Sequence, residues 1–363
     1  MPSLPRFLRA WSRGDPSIGR LETTYDRHGV SLPATVWGPQ RTGRLPGWVL
    51  LHGLTFTGRE HPSLERFARA LAASGARVLV PDIPEWRALH VAPAITHETI
   101  RAAVQTLHER PDIDPQRIGL IGFSFGATQA LIAAADPAVS ASLRGIAAWG
   151  GYSDVRRLFV FGITGEYDLD GVSYGVRPDP YGAWVMAGNY LTKIPGHEHE
   201  SDIATAVHEL ARDAGRRRIY ADDPVYDPLK AKLRAALPPD RWPVFDLIAA
   251  PAGKPPDDMD AARSVALQLA DAALKTDPLL DPGPFLTQPG PRVLLAHGRD
   301  DRLVPWTESM RLARALAPGR LTSTTITGLF QHSGGTNRRL GPAGLMVEST
   351  RFLRVLRRIL RLI

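Results

Sequence analysis

Short apolar runs alternate with stretches of helical spacing along much of this chain. Residues 20–25 and 30–37 read as two strands about the turn Asp26-Arg27-His28-Gly29, an antiparallel hairpin. Gly47-Trp48-Val49-Leu50-Leu51 is a short, apolar run that stops at His52-Gly53, which predicts a buried strand feeding a loop. Leu64, Phe67, Ala68 and Leu71 recur at helical spacing over 62–74, and Gly75 supplies a stop. Arg77-Val78-Leu79-Val80 then reads as a strand closed by Pro81-Asp82. A helix from about Thr96 to Glu109, a strand from Arg117 to Phe123, a helix from Ala127 to Ala135 and a strand from Leu143 to Trp149 continue the alternation. This rhythm predicts an α/β fold: a mostly parallel sheet covered by helices on both faces.

The rhythm breaks from Gly150 to about Pro291, a stretch rich in proline, aromatics and short helical patterns. Candidate helices cover 181–191, 201–213, 225–236 and 258–275. A structureless loop of that length is improbable inside a compact domain. The expected organisation is therefore a core of residues 1–150 and 291–363, with 151–290 inserted as a mainly helical cap. The alternation resumes with a strand at Arg292-Val293-Leu294-Leu295-Ala296, a helix over 307–316, a strand over 321–326 and a closing helix over about 343–361.

The length of 363 residues suits one large core with an insertion. The chain has no cysteine, which excludes disulfides, thiolate catalysis and cysteine-ligated zinc, and fits a reducing compartment. Met1 to Pro16 is basic, interrupted by Pro2, Pro5 and Pro16, and does not read as a secretory signal. With no apolar run long enough to span a bilayer, a soluble, cytoplasmic protein is the expectation. The net charge of +7 raises the question of acidic partners, but no nucleic-acid-binding module accompanies it, so a solvated basic surface is expected. The final helix, Arg351 to Ile363, is basic and amphipathic. It could lie on an anionic membrane, although covering the sheet with its apolar face is the preferred reading.

Candidate chemistry centres on Gly122-Phe123-Ser124-Phe125-Gly126. A serine hydroxyl becomes a nucleophile when a base takes its proton and the oxygen is openly presented. A sharp strand-to-helix turn presents it, and glycines two residues to either side avoid collision. The pentapeptide alone is a weak signal. Its setting, between the apolar Ile118-Gly119-Leu120-Ile121 and the helical Ala127 to Ile132, is much stronger. Asp300 and Asp301 follow the strand at 292–296, and His332 follows the strand at 321–326. A carboxylate at a strand end can hold an imidazole in one tautomer. The imidazole, with a pKa near neutrality, can then act as base and acid. His297 precedes a glycine turn and reads as structural.

These residues together resemble the α/β-hydrolase superfamily, in particular its dienelactone-hydrolase and acyl-peptidase-like branches. His52-Gly53, Asp114 to Gly126, the His297 to Pro305 block and His332 carry the resemblance, which covers about 20–150 and 290–360. It implies Asp301 as the triad acid, with Asp300 a competitor, beside Ser124 and His332. It also implies an oxyanion hole from the backbone N–H of Phe125 and that of Leu54, with Thr55 the less favoured second donor. The insertion lies outside the resemblance.

Other chemistries fit less well. His197-Glu198-His199-Glu200 lacks the four-residue histidine spacing of a zincin helix, so no metal is expected there. No Walker loop occurs, and no G-x-G-x-x-G follows the first strands. No cofactor is called for. The expected activity is cleavage of a carboxylic ester, with thioester or amide as variants, on a small-molecule substrate. The alternatives are a non-catalytic binding protein on the same fold and a membrane-surface lipase or acyltransferase.

Overall fold

The computed structural model describes residues 2–41, 43–329 and 341–363. Among them ten strands form: β1 (Ile18–Arg27), β2 (Val30–Pro39), β3 (Leu45–Leu51), β4 (Arg77–Pro81), β5 (Ile113–Phe123), β6 (Gly145–Trp149), β7 (Glu166–Leu169), β8 (Val172–Gly175), β9 (Arg292–Gly298) and β10 (Leu321–Thr327). Eight make one sheet in the order β1-β2-β4-β3-β5-β6-β9-β10, while β7 and β8 pair apart from it. β2 runs antiparallel to both its neighbours, and from β4 to β10 every pairing is parallel.

The apolar run in β3 is continuous because both of its faces are covered. Val49 and Leu51 pack with Leu79, Leu120 and Ile146 on one side. Trp48 and Leu50 pack with Ile121, Ala147 and Leu294 on the other. The second face is closed by the helices Leu4–Arg13, Pro62–Ala73 and Pro342–Ile359. In the last of these, Val355, Leu356 and Ile359 are buried in that core, while Leu345, Met346, Val347 and Leu353 are exposed. No helix among the described residues is long and apolar enough to cross a membrane.

The predicted hairpin forms with Arg27 opposite Val30. Its two-residue loop, His28-Gly29, has φ of 53° and 80°, the doubly positive turn that matches strand twist. The sequence pattern assigns no element to the N-terminal segment, where residues 4–13 are helical. Pro5 lies in the first turn, where no N–H is required, and the Ser3 hydroxyl accepts the Arg6 N–H at 3.4 Å. Phe7 and Ala10 are buried, while Arg6, Arg9 and Arg13 face outward.

Between β6 and β9 all four expected helices form, as Tyr181–Tyr190, Ser201–Arg217, Asp227–Ala236 and Met259–Thr276. The helices Val155–Thr164 and Trp242–Ile248 and the β7–β8 hairpin are additions to that expectation. The hairpin turns at Asp170-Gly171, with φ of 54° and 77°. All eight strands of the main sheet fall within 1–150 and 291–363.

Candidate active site

β5 ends at Phe123 and the helix Phe125–Ala133 begins one residue after Ser124. The chain reverses within that single residue, which takes φ 56° and ψ −127°. For a residue with a side chain such a conformation costs about 1–3 kcal/mol and persists only where its surroundings impose it. Here they do. The Ser124 N–H donates to the Trp149 carbonyl at 2.8 Å, and the Ser124 carbonyl accepts from the Ala127 N–H at 2.9 Å.

The flanking glycines are required by space. A Cβ on Gly122 would lie 2.2 Å from the Gly126 carbonyl oxygen, and one on Gly126 would lie 2.4 Å from that of His52. The loop after β3 therefore presses directly on the turn. A Cβ on Gly53 would stand 3.1 Å from Ser124 Cβ and 3.5 Å from its Oγ. His52 anchors this loop by donating from Nδ1 to the Gly53 carbonyl at 2.6 Å. Its buried ring sits edge-on to Trp86, and burial pushes its pKa down to about 4, so the ring is neutral at ordinary pH. Leu54 is fixed from the opposite side, where the Tyr181 hydroxyl donates to its carbonyl at 3.0 Å. Phe125 is the first residue of its helix, so its N–H belongs to the set without an intrahelical acceptor. Such a donor can face a developing oxyanion.

Asp301 lies in the turn after β9 with its side chain fully buried. Its Oδ1 accepts the N–H groups of Leu303 at 2.9 Å and Val304 at 3.0 Å. His297 is buried beneath this turn. Its Nε2 donates to the Val304 carbonyl at 3.0 Å, and its Nδ1 accepts from the Ser309 hydroxyl at 2.7 Å, as suits a structural residue. Asp300 is only partly buried, and its charge acts on Tyr167. His332 lies outside the described residues.

Ser124, Phe125, Leu54, Thr55, Leu303 and Val304 share one cavity of about 410 Å³, within the range that takes small organic ligands. Neither Asp300 nor Asp301 lines it, but Asp301 accepts the N–H groups of Leu303 and Val304, which do. From the insertion, Phe159, Tyr181, Val185 and Met186 also line it. Asp179, also in the wall, escaped the sequence reading. Burial pushes its carboxyl up to about 6, although the N–H groups of Tyr181 and Ala221 bond to it and pull the other way. The wall has a further part on the sheet side, from Trp11, Phe67, Phe123, Trp149 and Phe352. No local motif marks these five, because five separate stretches of chain supply them.

The histidine-rich stretch of the insertion builds a polar network. His197 pairs with Glu200 at 2.7 Å, and Glu200 pairs with Arg241 at 3.0 Å. Among the described residues no three His, Asp or Glu side chains gather as a metal site.

No protein-family model and no curated protein matches the sequence. Solved structures do. A brefeldin A esterase, described as a bacterial homologue of human hormone sensitive lipase, superposes with a TM-score of 0.52 at 18% identity, over 99% of this chain and 87% of that one. An acylaminoacyl peptidase in complex with Z-Gly-Gly-Phe-chloromethyl ketone superposes with a TM-score of 0.50 at 13% identity, over 94% of this chain and 42% of that one. The chain thus spans less than half of the peptidase's length. At such identities the likeness is one of fold.

Proposed function

We propose that this chain, which has the α/β-hydrolase fold, is a serine hydrolase that cleaves a carboxylic ester through a covalent acyl-enzyme. The observation that carries the reading is the strained backbone of Ser124, held between β5 and its helix by glycines that admit no Cβ. A protein using this turn only for packing gains nothing from a serine there at a cost of about 1–3 kcal/mol.

In this reading Ser124 Oγ attacks the ester carbonyl while His332 takes its proton. The oxyanion that forms is met by the Phe125 and Leu54 N–H groups, which favour it over the resting carbonyl. The tetrahedral centre collapses, His332 returns the proton to the leaving alcohol, and water repeats the sequence to free the acid. Asp301 orients the imidazole and stabilises its cation. Two observations favour it over Asp300: its full burial and its two backbone N–H bonds, which hold the carboxylate in one direction. The insertion, residues 151–290, acts as a cap over the serine. Its contribution to the cavity wall through Phe159, Tyr181 and Met186 supports that role.

Hydrolysis of p-nitrophenyl esters of graded chain length, with Ser124→Ala as the control, tests the reading. Turnover by the wild-type protein that disappears in the variant is expected. Turnover of equal rate in both would remove Ser124 from the mechanism.

A further inference from the structure

We propose that the sheet side of the cavity is an aromatic subsite that selects esters carrying a neutral aromatic or fused-ring group. The inference rests on the reading of Ser124 as nucleophile, and it assigns a substrate class to that site. Trp11, Phe67, Phe123, Trp149 and Phe352 all line the cavity that holds Ser124. They form one chain of ring contacts. Trp11 meets Phe67 edge-on at 6.4 Å, and Phe67 meets Phe123 edge-on at 5.2 Å. Phe123 stacks with Trp149 at 6.0 Å, and Trp149 lies tilted against Phe352 at 5.8 Å. Phe123 is bonded directly to Ser124, so the middle of the chain of rings adjoins the nucleophile's own backbone.

These rings are not simply core. Phe67 and Trp149 are buried, but Trp11, Phe123 and Phe352 keep part of their surface uncovered. Trp11 from the first helix and Phe352 from the last, both partly bared, line one space with Phe123 at the end of β5. Leaving such surface wet costs roughly 25 cal/mol per Å². A ligand ring that covers it recovers that term and adds offset or edge-to-face contacts worth about 0.5–1.5 kcal/mol each. Trp11 is fixed at the rim: the Arg66 guanidinium lies 4.4 Å from its ring centre, and Arg66 Nε donates to the Trp11 carbonyl at 2.6 Å. The five side chains carry no formal charge, and the Arg66 guanidinium already over Trp11 repels a second cation, so a neutral ring is the group they take.

The test uses the full-length Ser124→Ala protein, which binds esters without turnover. Its affinities for 2-naphthyl acetate and for an alkyl acetate with the same number of non-hydrogen atoms are measured by calorimetry. A preference of about tenfold for the naphthyl ester is expected. Trp11→Leu and Phe352→Leu, which keep apolar bulk but lose the ring, should each remove most of that preference. Trp11→Phe, which keeps a ring, should retain it, and thermal melts check that each variant folds. Equal affinity for the two esters, or a preference unchanged in both leucine variants, overturns the subsite. Binding does not require Ser124, so this outcome is distinct from failure of the serine to react in the wild-type protein.

Discussion

Replacing Gly122 by alanine isolates the geometry on which the account depends. The new Cβ would lie 2.2 Å from the Gly126 carbonyl oxygen, 2.6 Å from its carbon and 2.7 Å from Ala127 Cα. All three are backbone atoms of the turn that carries Ser124, so no side chain can swing aside. Restoring ordinary contact requires the turn to open by about 1 Å. Overpacking of this kind costs about 1–3 kcal/mol of stability. Displacing a nucleophile by ~1 Å costs about 10²-fold in rate. The backbone at Gly122 is not in the left-handed region, so alanine brings no conformational penalty of its own and the effect is purely steric. Gly175→Ala is the control: nothing lies within 4 Å of its Cβ, and stability should stay within about 0.5 kcal/mol. Urea unfolding and p-nitrophenyl ester hydrolysis read the two quantities. A Gly122→Ala protein with the stability and rate of the wild type would refute the reasoning, because the turn would not be constrained as described.

Three further expectations follow from the surroundings of the serine. Asp301→Asn should lower kcat by roughly 10³–10⁴-fold, whereas Asp300→Asn, at a less buried carboxylate, should lower it little; the reverse ranking in steady-state kinetics makes Asp300 the acid. Arg302 follows Asp301, bonds to Asp222 and to the Arg177 carbonyl, and takes the Asp179 N–H on its own carbonyl, tying the acid's turn to the insertion. Arg302→Ala should therefore lower kcat about tenfold with a smaller change in KM, with partial recovery in Arg302→Lys, and a change in KM alone would show that the tie serves binding instead. Burial pushes His52 and His97 down to about 4, against about 6.5 in the unfolded chain. The folded state thus binds fewer protons between those values, and its stability, complete above about pH 6.5, falls as the pH drops toward 4. Urea unfolding at several pH values should show this loss, with a shallower slope in His97→Gln; an unchanged slope in that variant would mean His97 does not contribute.

Much of the core was legible because its constraints are local. The G-x-S-x-G turn needs glycine two residues to either side of the serine, and contacts to the Gly126 and His52 carbonyls give the reason. β3, β4, β5, β6 and β9 announced themselves as short apolar runs, and β1–β2 through its turn residues. The helix Leu4–Arg13 was hidden by its prolines, although Pro5 falls where a helix tolerates one. β7 and β8 are four residues each, too short to show alternation, and Asp170-Gly171 was their one signal. Neighbouring Asp300 and Asp301 are alike in sequence and differ only in burial and in the N–H groups that reach them. The aromatic wall was the least legible part. Of Phe159, Phe161, Tyr167, Tyr174, Tyr181 and Trp184 in the aromatic-rich insertion, only Phe159 and Tyr181 line the cavity. Phe161 packs against Tyr167, Tyr167 stacks on Tyr174, and Trp184 is buried against Tyr226. Trp11, Phe67, Phe123, Trp149 and Phe352 also line it, brought together by folding across more than 300 residues of sequence. No spacing rule reaches that far.

The central claim is that Ser124 is an activated nucleophile, and labelling with a fluorophosphonate tests it most directly. The wild-type protein should take up one phosphonyl group, which peptide mass spectrometry should locate on Ser124. Ser124→Ala should stay unlabelled, melt at the wild-type temperature and lose ester hydrolysis by about 10⁴-fold or more. A folded wild-type protein that does not react, or one whose label sits on another residue while Ser124→Ala still hydrolyses esters, would contradict the account.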